Sequence, residues 1–134
     1  MSQGDRLLLD THAFVWWATG SDQLPVPTID AIEHARSVSV SLVSLWEIVL
    51  KESTNHPMIG TPDAYRWFAE AMSYTDFSTV PIEGRHLGAV QHLPPHHHDP
   101  FDRLIVAQAR DVGSTIVSRD GQLPKYDVTV AWWT

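Results

Sequence analysis

Four carboxylates stand where a folded sheet would bring its strand ends together. Asp10 follows Leu7-Leu8-Leu9, Glu47 sits in the first turns after Val38–Leu42, Asp102 opens a long apolar-striped segment, and Asp120 lies two residues beyond Ser118. Ligands of open α/β sheets bind outside the carboxyl ends of the strands, so these acids from distant segments could meet at one edge. Carboxylates held together repel unless a cation neutralises them. With no cysteine in the chain, hard oxygen ligands select Mg²⁺ or Mn²⁺.

Each acid also has a local explanation. Asp10 or Thr11 could N-cap a following helix, and Ser44-Leu45-Trp46-Glu47 has the form of a capping box. Asp99-Pro100-Phe101-Asp102 reads as an N-cap, a proline at the first helical position and a favourable first-turn carboxylate, while Asp120-Gly121 suits a turn. Four independent caps need not share an edge, however. Asp102 also continues the stripe of Ile105, Ala109 and Val112, and a carboxylate on an inward-facing stripe needs a partner.

The elements that must position these groups follow from periodicity. Arg6 to Asp10 is a short apolar run suited to a buried strand. From Thr11, Phe14, Trp17 and Ala18 recur at helical spacing until Gly20, and Thr28 to Ala35 reads as a short helix with Ile29 and Ile32 inward. Val38, Val40 and Leu42 alternate as a strand. Leu42, Leu45, Trp46, Val49 and Leu50 then form an amphipathic stripe, predicting a helix from about Val43 to Ser53. Thr61-Pro62-Asp63 predicts a capped helix to about Met72. Thr79 to Ile82 reads as a strand, Glu83 to His92 as a short helix, Asp99 to Val112 as a long one ended by Gly113, and Ser114–Ser118 and Val128–Val130 as strands. Strands alternating with helices predict a mostly parallel sheet covered on both faces, a three-layer α/β/α architecture.

Composition bounds the rest. A chain of 134 residues with 43% hydrophobic and 19% charged residues fits one domain with a sizeable core. No apolar run approaches the ~20 residues of a membrane span, and Met1 to Leu9 is too short and too charged for a signal peptide, so a soluble cytoplasmic protein is expected. The formal charge of −7 means that long-range attraction cannot supply most of any nucleic-acid affinity. Any such partner needs a local site.

Three blocks make the chain recognisable. Leu8-Leu9-Asp10-Thr11-His12-Ala13-Phe14-Val15-Trp16-Trp17, Ser44-Leu45-Trp46-Glu47-Ile48 and His98-Asp99-Pro100-Phe101-Asp102-Arg103-Leu104-Ile105-Val106-Ala107-Gln108-Ala109 strongly resemble PIN-domain proteins of the VapC toxin type. Ile116-Val117-Ser118-Arg119-Asp120, with Tyr126-Asp127-Val128 beyond it, looks like that family's closing element. The resemblance implies a PIN-like α/β/α fold and a divalent-metal-dependent endoribonuclease, the toxin of a toxin–antitoxin pair. It places the family's acids on Asp10, Glu47, Asp102 and Asp120, with Asp99 as a lesser metal ligand, and puts hydroxyls beside them at Thr11 and Ser118. Ser118 stands where a Thr is commoner in the family.

For such an enzyme, one or two Mg²⁺ ions would lower the pKa of a bound water and clamp the scissile phosphate, with no Ser or His nucleophile required. A carboxylate not fully engaged with metal could accept the water's proton, and Asp120 is the candidate. Arg103, Lys51 and Arg119 lie near the acids in sequence and are candidate phosphate contacts. The resemblance further implies an RNA substrate, a cognate antitoxin and a homodimer. An inactive RNA- or antitoxin-binding module, or a metal-dependent nuclease acting on DNA, are the competing readings. Of the six tryptophans, the pairs Trp16-Trp17 and Trp132-Trp133 are expected in core packing or a protein interface rather than in base stacking. His96-His97-His98 reads as a solvated loop, and His12 and His86 as structural.

Overall fold

Leu7, Leu8 and Leu9 are all buried because the strand they form is central to a sheet with helices on both faces. Residues 6–96 and 99–134 are described by the computed structural model. Its elements are β1 (Arg6–Leu9), α1 (Thr11–Thr19), α2 (Val26–His34), β2 (Ser37–Ser41), α3 (Leu42–Glu52), α4 (Ala64–Ser73), β3 (Ser78–Val80), α5 (Gly84–Gln91), α6 (Pro100–Val112), β4 (Thr115–Val117), a single 3₁₀ turn at Leu123–Lys125, and β5 (Val130–Ala131). The strand order is β3-β2-β1-β4-β5, and every neighbouring pair is parallel. This is the expected α/β/α sandwich, with the mostly parallel sheet now parallel throughout the described residues.

Strand alternation divides the core. Leu7 and Leu9 point to a layer that includes Phe14 of α1, Ile32 of α2 and Phe68 of α4. Leu8 points to the opposite layer with Leu104, Ile105 and Ala109 of α6. Helix α3 straddles the two, giving Ile48 to the first and Val43 to the second. Gly20 and Gly113 end α1 and α6 at φ 67° and 70°, left-handed conformations that cost other residues a Cβ clash.

Several boundaries move. Helix α3 begins directly after β2, capped by Ser41, whose hydroxyl accepts the Val43 N–H. Ser44 is therefore inside the helix, and the expected capping box with Glu47 does not form. The cap of α4 is Asp63, which accepts the Arg66 N–H, and not Thr61. β3 starts one residue before the expected segment and β5 falls two residues after it, since short edge strands are set by pairing with their neighbours rather than by propensity.

The larger correction concerns the face of α3. Its apolar stripe was expected to define the buried side, yet Trp46, Val49 and Leu50 are each close to half exposed. The buried side is Val43, Ser44, Glu47 and Ile48. Helix α3 turns inward the face that carries a carboxylate and a hydroxyl, leaving much of its apolar surface outside. No helix among the described residues is long and apolar enough to cross a membrane.

Candidate active site

The sheet order creates a switch point at β1. The chain leaves β1 toward β2 on one side, and β4 arrives on the other. Crevices at such points are where open α/β sheets bind ligands. At this one the Asp10 N–H donates to the Val117 carbonyl across the strand ends, 3.1 Å away. Asp10 therefore follows β1 directly and Ser118 follows β4, side by side.

Asp10 is also the N-cap of α1, its Oδ1 accepting the Ala13 N–H at 2.9 Å. The capping explanation and the site explanation hold together, since the carboxylate that caps α1 also lines the crevice. The residue is 8% exposed. Burial pushes its pKa up; the Ser118 hydroxyl, the Ala13 N–H and nearby His12 oppose the rise, and the Glu47 charge adds to it.

Glu47 reaches the crevice from α3 and is 3% exposed. Its Oε2 accepts from Lys51 Nζ at 2.6 Å, while its buried Oε1 has no hydrogen-bond partner. Desolvation alone would lower the Lys51 pKa. Its bond to Glu47 and the charges of Glu47, Asp99 and Asp102 instead hold it above its usual value.

Asp102 and Asp99 come from the start of α6. Asp99 caps that helix, its Oδ1 accepting from the N–H groups of Phe101 and Asp102, and Pro100 follows as the first helical residue. Asp120 follows β4 in a turn in which its N–H donates to Ser118 Oγ and its Oδ1 accepts the Gln122 N–H.

All five acids, Asp10, Glu47, Asp99, Asp102 and Asp120, line one pocket of about 330 Å³, together with His12, Trp16, Lys51, Arg119 and Trp132. Among the described residues, no three acidic or imidazole side chains stand close enough together to ligate one ion. They line a shared space instead. The donor set nonetheless fits a hard divalent cation. It consists of carboxylate oxygens with no thiolate, and the orphaned Oε1 of Glu47 is a buried oxygen for which the protein offers no donor.

The remaining expected residues divide. Ser118 is 2% exposed and touches both Asp10 and the Asp120 backbone. Thr11 instead donates to Ser44 Oγ at 3.0 Å, tying α1 to α3 behind the pocket. Lys51 and Arg119 line the pocket. Arg103 does not, and its reading as a phosphate contact is corrected. Its guanidinium donates to the carbonyls of Val90, Leu93 and Pro94 and to the Tyr126 hydroxyl, fastening the loop before α6.

The sequence reading missed His12, Trp16 and Trp132 as pocket residues. A signal existed for two of them. His12 and Trp16 are four apart at the start of a helix that begins at the strand edge, so they share the face overlooking the crevice. Trp132 carried no such mark. The expected structural role of His86 matches its burial, with Nδ1 toward the Glu83 N–H and Nε2 toward Asp111. His96 packs edge-on against Tyr126, and His97 and His98 lie outside the described residues.

Comparison with known proteins agrees with this architecture. Residues 7–128 match the PIN domain family. The chain is 29% identical over 118 residues to Ribonuclease VapC22 of Mycobacterium tuberculosis, an overlap spanning 87% of this chain and 88% of that protein. Its fold is similar to VapBC2 from Rickettsia felis, in a crystal structure bound to a DNA fragment from their promoter, at a TM-score of 0.69 and 11% identity, covering 96% of this chain and 98% of that one. DNA-bound VapBC from Salmonella typhimurium gives a TM-score of 0.64 at 13% identity, again covering 96% and 98%. The strand order, the acid-lined switch-point pocket and a family match over nearly the whole length lead to one assignment: this chain belongs to the PIN-domain family.

Proposed function

We propose that this protein is a divalent-metal-dependent endoribonuclease and the toxin of a toxin–antitoxin pair. One observation carries the catalytic reading. Carboxylates from four separate segments line a single switch-point pocket, and one of them, Glu47, presents a buried oxygen with no protein partner. The curated relative is named a ribonuclease, and the structural neighbours are VapBC assemblies, which supports RNA as substrate and an antitoxin as partner. A homodimer, a cytoplasmic location and a single domain spanning residues 1–134 complete the proposal.

Asp10, Glu47, Asp102 and Asp120 would hold the ion, Mg²⁺ or Mn²⁺, with Asp99 beside them. When bound, it would supply a positive centre that attracts a phosphodiester and acidifies a water. Asp10 is fixed by its cap bond, and Ser118 orients it from β4. Asp120 sits on a turn at the pocket edge, where its carboxylate can take a proton from water. Arg119 and Lys51 face the pocket and can meet phosphate oxygens, once Lys51 is released from Glu47. Because the chain carries −7, this local positive charge must overcome a repulsive surround.

The test is cleavage of structured and unstructured RNAs, with single-stranded DNA as a parallel substrate, in Mg²⁺ and in EDTA. Cutting of RNA that needs Mg²⁺ and disappears in Asp10→Asn is the expected result. Undiminished cutting by Asp10→Asn, or by the parent in EDTA, overturns the metal assignment. Cutting of DNA alone overturns the substrate.

A further inference from the structure

The pocket is lined by aromatic rings as well as by acids. The rings of Trp16 and Trp132 meet edge to face with centroids 6.1 Å apart. The His12 ring centroid lies 5.5 Å from that of Trp16. The Arg119 guanidinium lies over the Trp16 ring, 4.5 Å from its centre, and donates to Gln23 Oε1. Both tryptophans are only partly buried and, like Trp17 and Trp133, rest against the core layer that holds Leu7, Leu9 and Phe14. Trp17 packs on Phe77.

Trp132 is also held in place by its backbone neighbours. The Ala131 carbonyl accepts the Ser118 N–H at the end of β4. On the other side, the fully buried Thr28 hydroxyl donates to the Trp133 carbonyl at 2.6 Å and accepts the Trp133 N–H. The chain is thus clamped immediately before and after Trp132, so its ring is presented to the pocket with little ordering left to do. A preorganised, partly exposed aromatic beside a polar pocket is what a stacking contact requires.

We propose that Trp132, backed by the Trp16–Arg119 stack, is a ledge that takes the base of an unpaired nucleotide next to the phosphate at the acids. The inference rests on the ribonuclease reading and adds to it the residues that would hold an unpaired base beside the acids. Stacking needs no net charge, so it supplies the affinity that a chain of −7 cannot draw from long-range attraction. It also needs an exposed base face, which a duplex does not offer. Every base has such a face, so the ledge favours unpaired RNA without dictating which base is bound.

The experiment measures binding of an end-labelled, unstructured RNA by fluorescence anisotropy, with every protein carrying Asp10→Asn to prevent turnover. The same strand with abasic sites and the same strand in a duplex serve as controls. Trp132→Leu keeps bulk and loses the aromatic plane, whereas Trp132→Phe keeps a plane. The leucine variant should bind the intact strand about fivefold to a hundredfold more weakly, the phenylalanine variant should recover most of that loss, and all three should bind the abasic strand alike. Arg119→Lys keeps the charge without the plane, lies on an exposed side chain, and should weaken the intact strand more than the abasic one. Leucine binding as tightly as tryptophan, equal losses on intact and abasic strands, or preference for the duplex overturns the ledge. So does Arg119→Lys weakening both strands alike, which decides the matter should the Trp132 variants fail to fold. Cleavage by the unaltered protein is scored alongside. Cleavage without the stacking signature removes the ledge alone, and the signature without cleavage removes the catalytic reading alone.

Discussion

The Lys51 ammonium lies 2.6 Å from one oxygen of Glu47, while the other oxygen is buried without a partner. The protein thus carries a side-chain cation inside its own acid pocket, one turn along the helix from the acid it neutralises. The Lys51 side chain is 37% exposed, against 4% for Glu47, so the pair is asymmetric, with the carboxylate bearing most of the desolvation.

Lys51→Met should therefore destabilise the protein in EDTA by about 1–2 kcal/mol, below the ~3–5 kcal/mol of a fully buried pair because water screens the lysine. Added Mg²⁺ should then raise the melting temperature of the variant more than that of the parent, since the ion replaces the missing ammonium. Equal shifts in the two proteins would show that Glu47 does not take the ion.

Arg103 and Arg119 sit on either side of the pocket's boundary, and their roles should separate. Arg103→Ala removes a clamp on three carbonyls and should speed amide exchange around Val90–Leu93, leaving the salt slope of RNA binding unchanged. Arg119→Ala should lower that slope by about one counter-ion with melting nearly unchanged. Reversed outcomes would return Arg103 to the site.

Glu52 holds the turn between α3 and α4. Its two oxygens accept from the N–H groups of Met58, Ile59, Gly60 and Thr61. Desolvation is the largest single influence and raises its pKa, but the four bonds together outweigh it and hold the carboxyl below its ordinary 4.5. A carboxyl depressed in the folded state adds stability that is fully present above the unfolded pKa and is lost as pH falls through the lower folded value. Glu52→Gln should cost about 1–3 kcal/mol in urea titrations at neutral pH, and the gap to the parent should narrow as pH falls below the unfolded pKa and close once pH passes the lower folded value. A gap that persisted in acid would mean that packing, not the charge, holds the turn.

The two faces of α3 can be compared directly. Ile48→Ala, at a fully buried position, should cost about 2–5 kcal/mol. Leu50→Ala, at 45% exposure, should cost less than about 1 kcal/mol. Chemical denaturation of both variants checks which side of the helix is inside, and a larger loss at Leu50 would reverse the assignment.

The misplaced face of α3 shows where sequence pattern stops being informative. Hydrophobic periodicity reports which residues repeat on one side, not what faces them. Here the inward side must deliver Glu47 to the pocket and Ser44 to Thr11, and the contact of Trp46 with Phe101 covers only part of the stripe left outside. Arg103 failed for a related reason. Proximity to Asp102 in sequence does not fix where a long side chain ends, and carbonyls of the end of α5 and the loop after it claimed this one.

By contrast, α/β alternation, the caps at Asp10 and Asp99, and the glycine stops were legible because they are local. Capping, turn chemistry and strand period depend on residues within a few positions of one another. The acids were legible as candidates because strand ends could be found, and strand ends in parallel sheets are where ligands bind.

The sequence by itself determined the elements, the identity of the acids and the absence of thiolate chemistry, all of which follow from residue type and short-range order. Only the tertiary structure decided that Asp10 and Ser118 lie side by side and that Trp16, Arg119 and Trp132 share the pocket's lining. Those relationships come from the order β3-β2-β1-β4-β5, which sets β4 against β1 and β5 against β4. Strand order is fixed by long-range pairing and burial, and neither is written within any one stretch of chain.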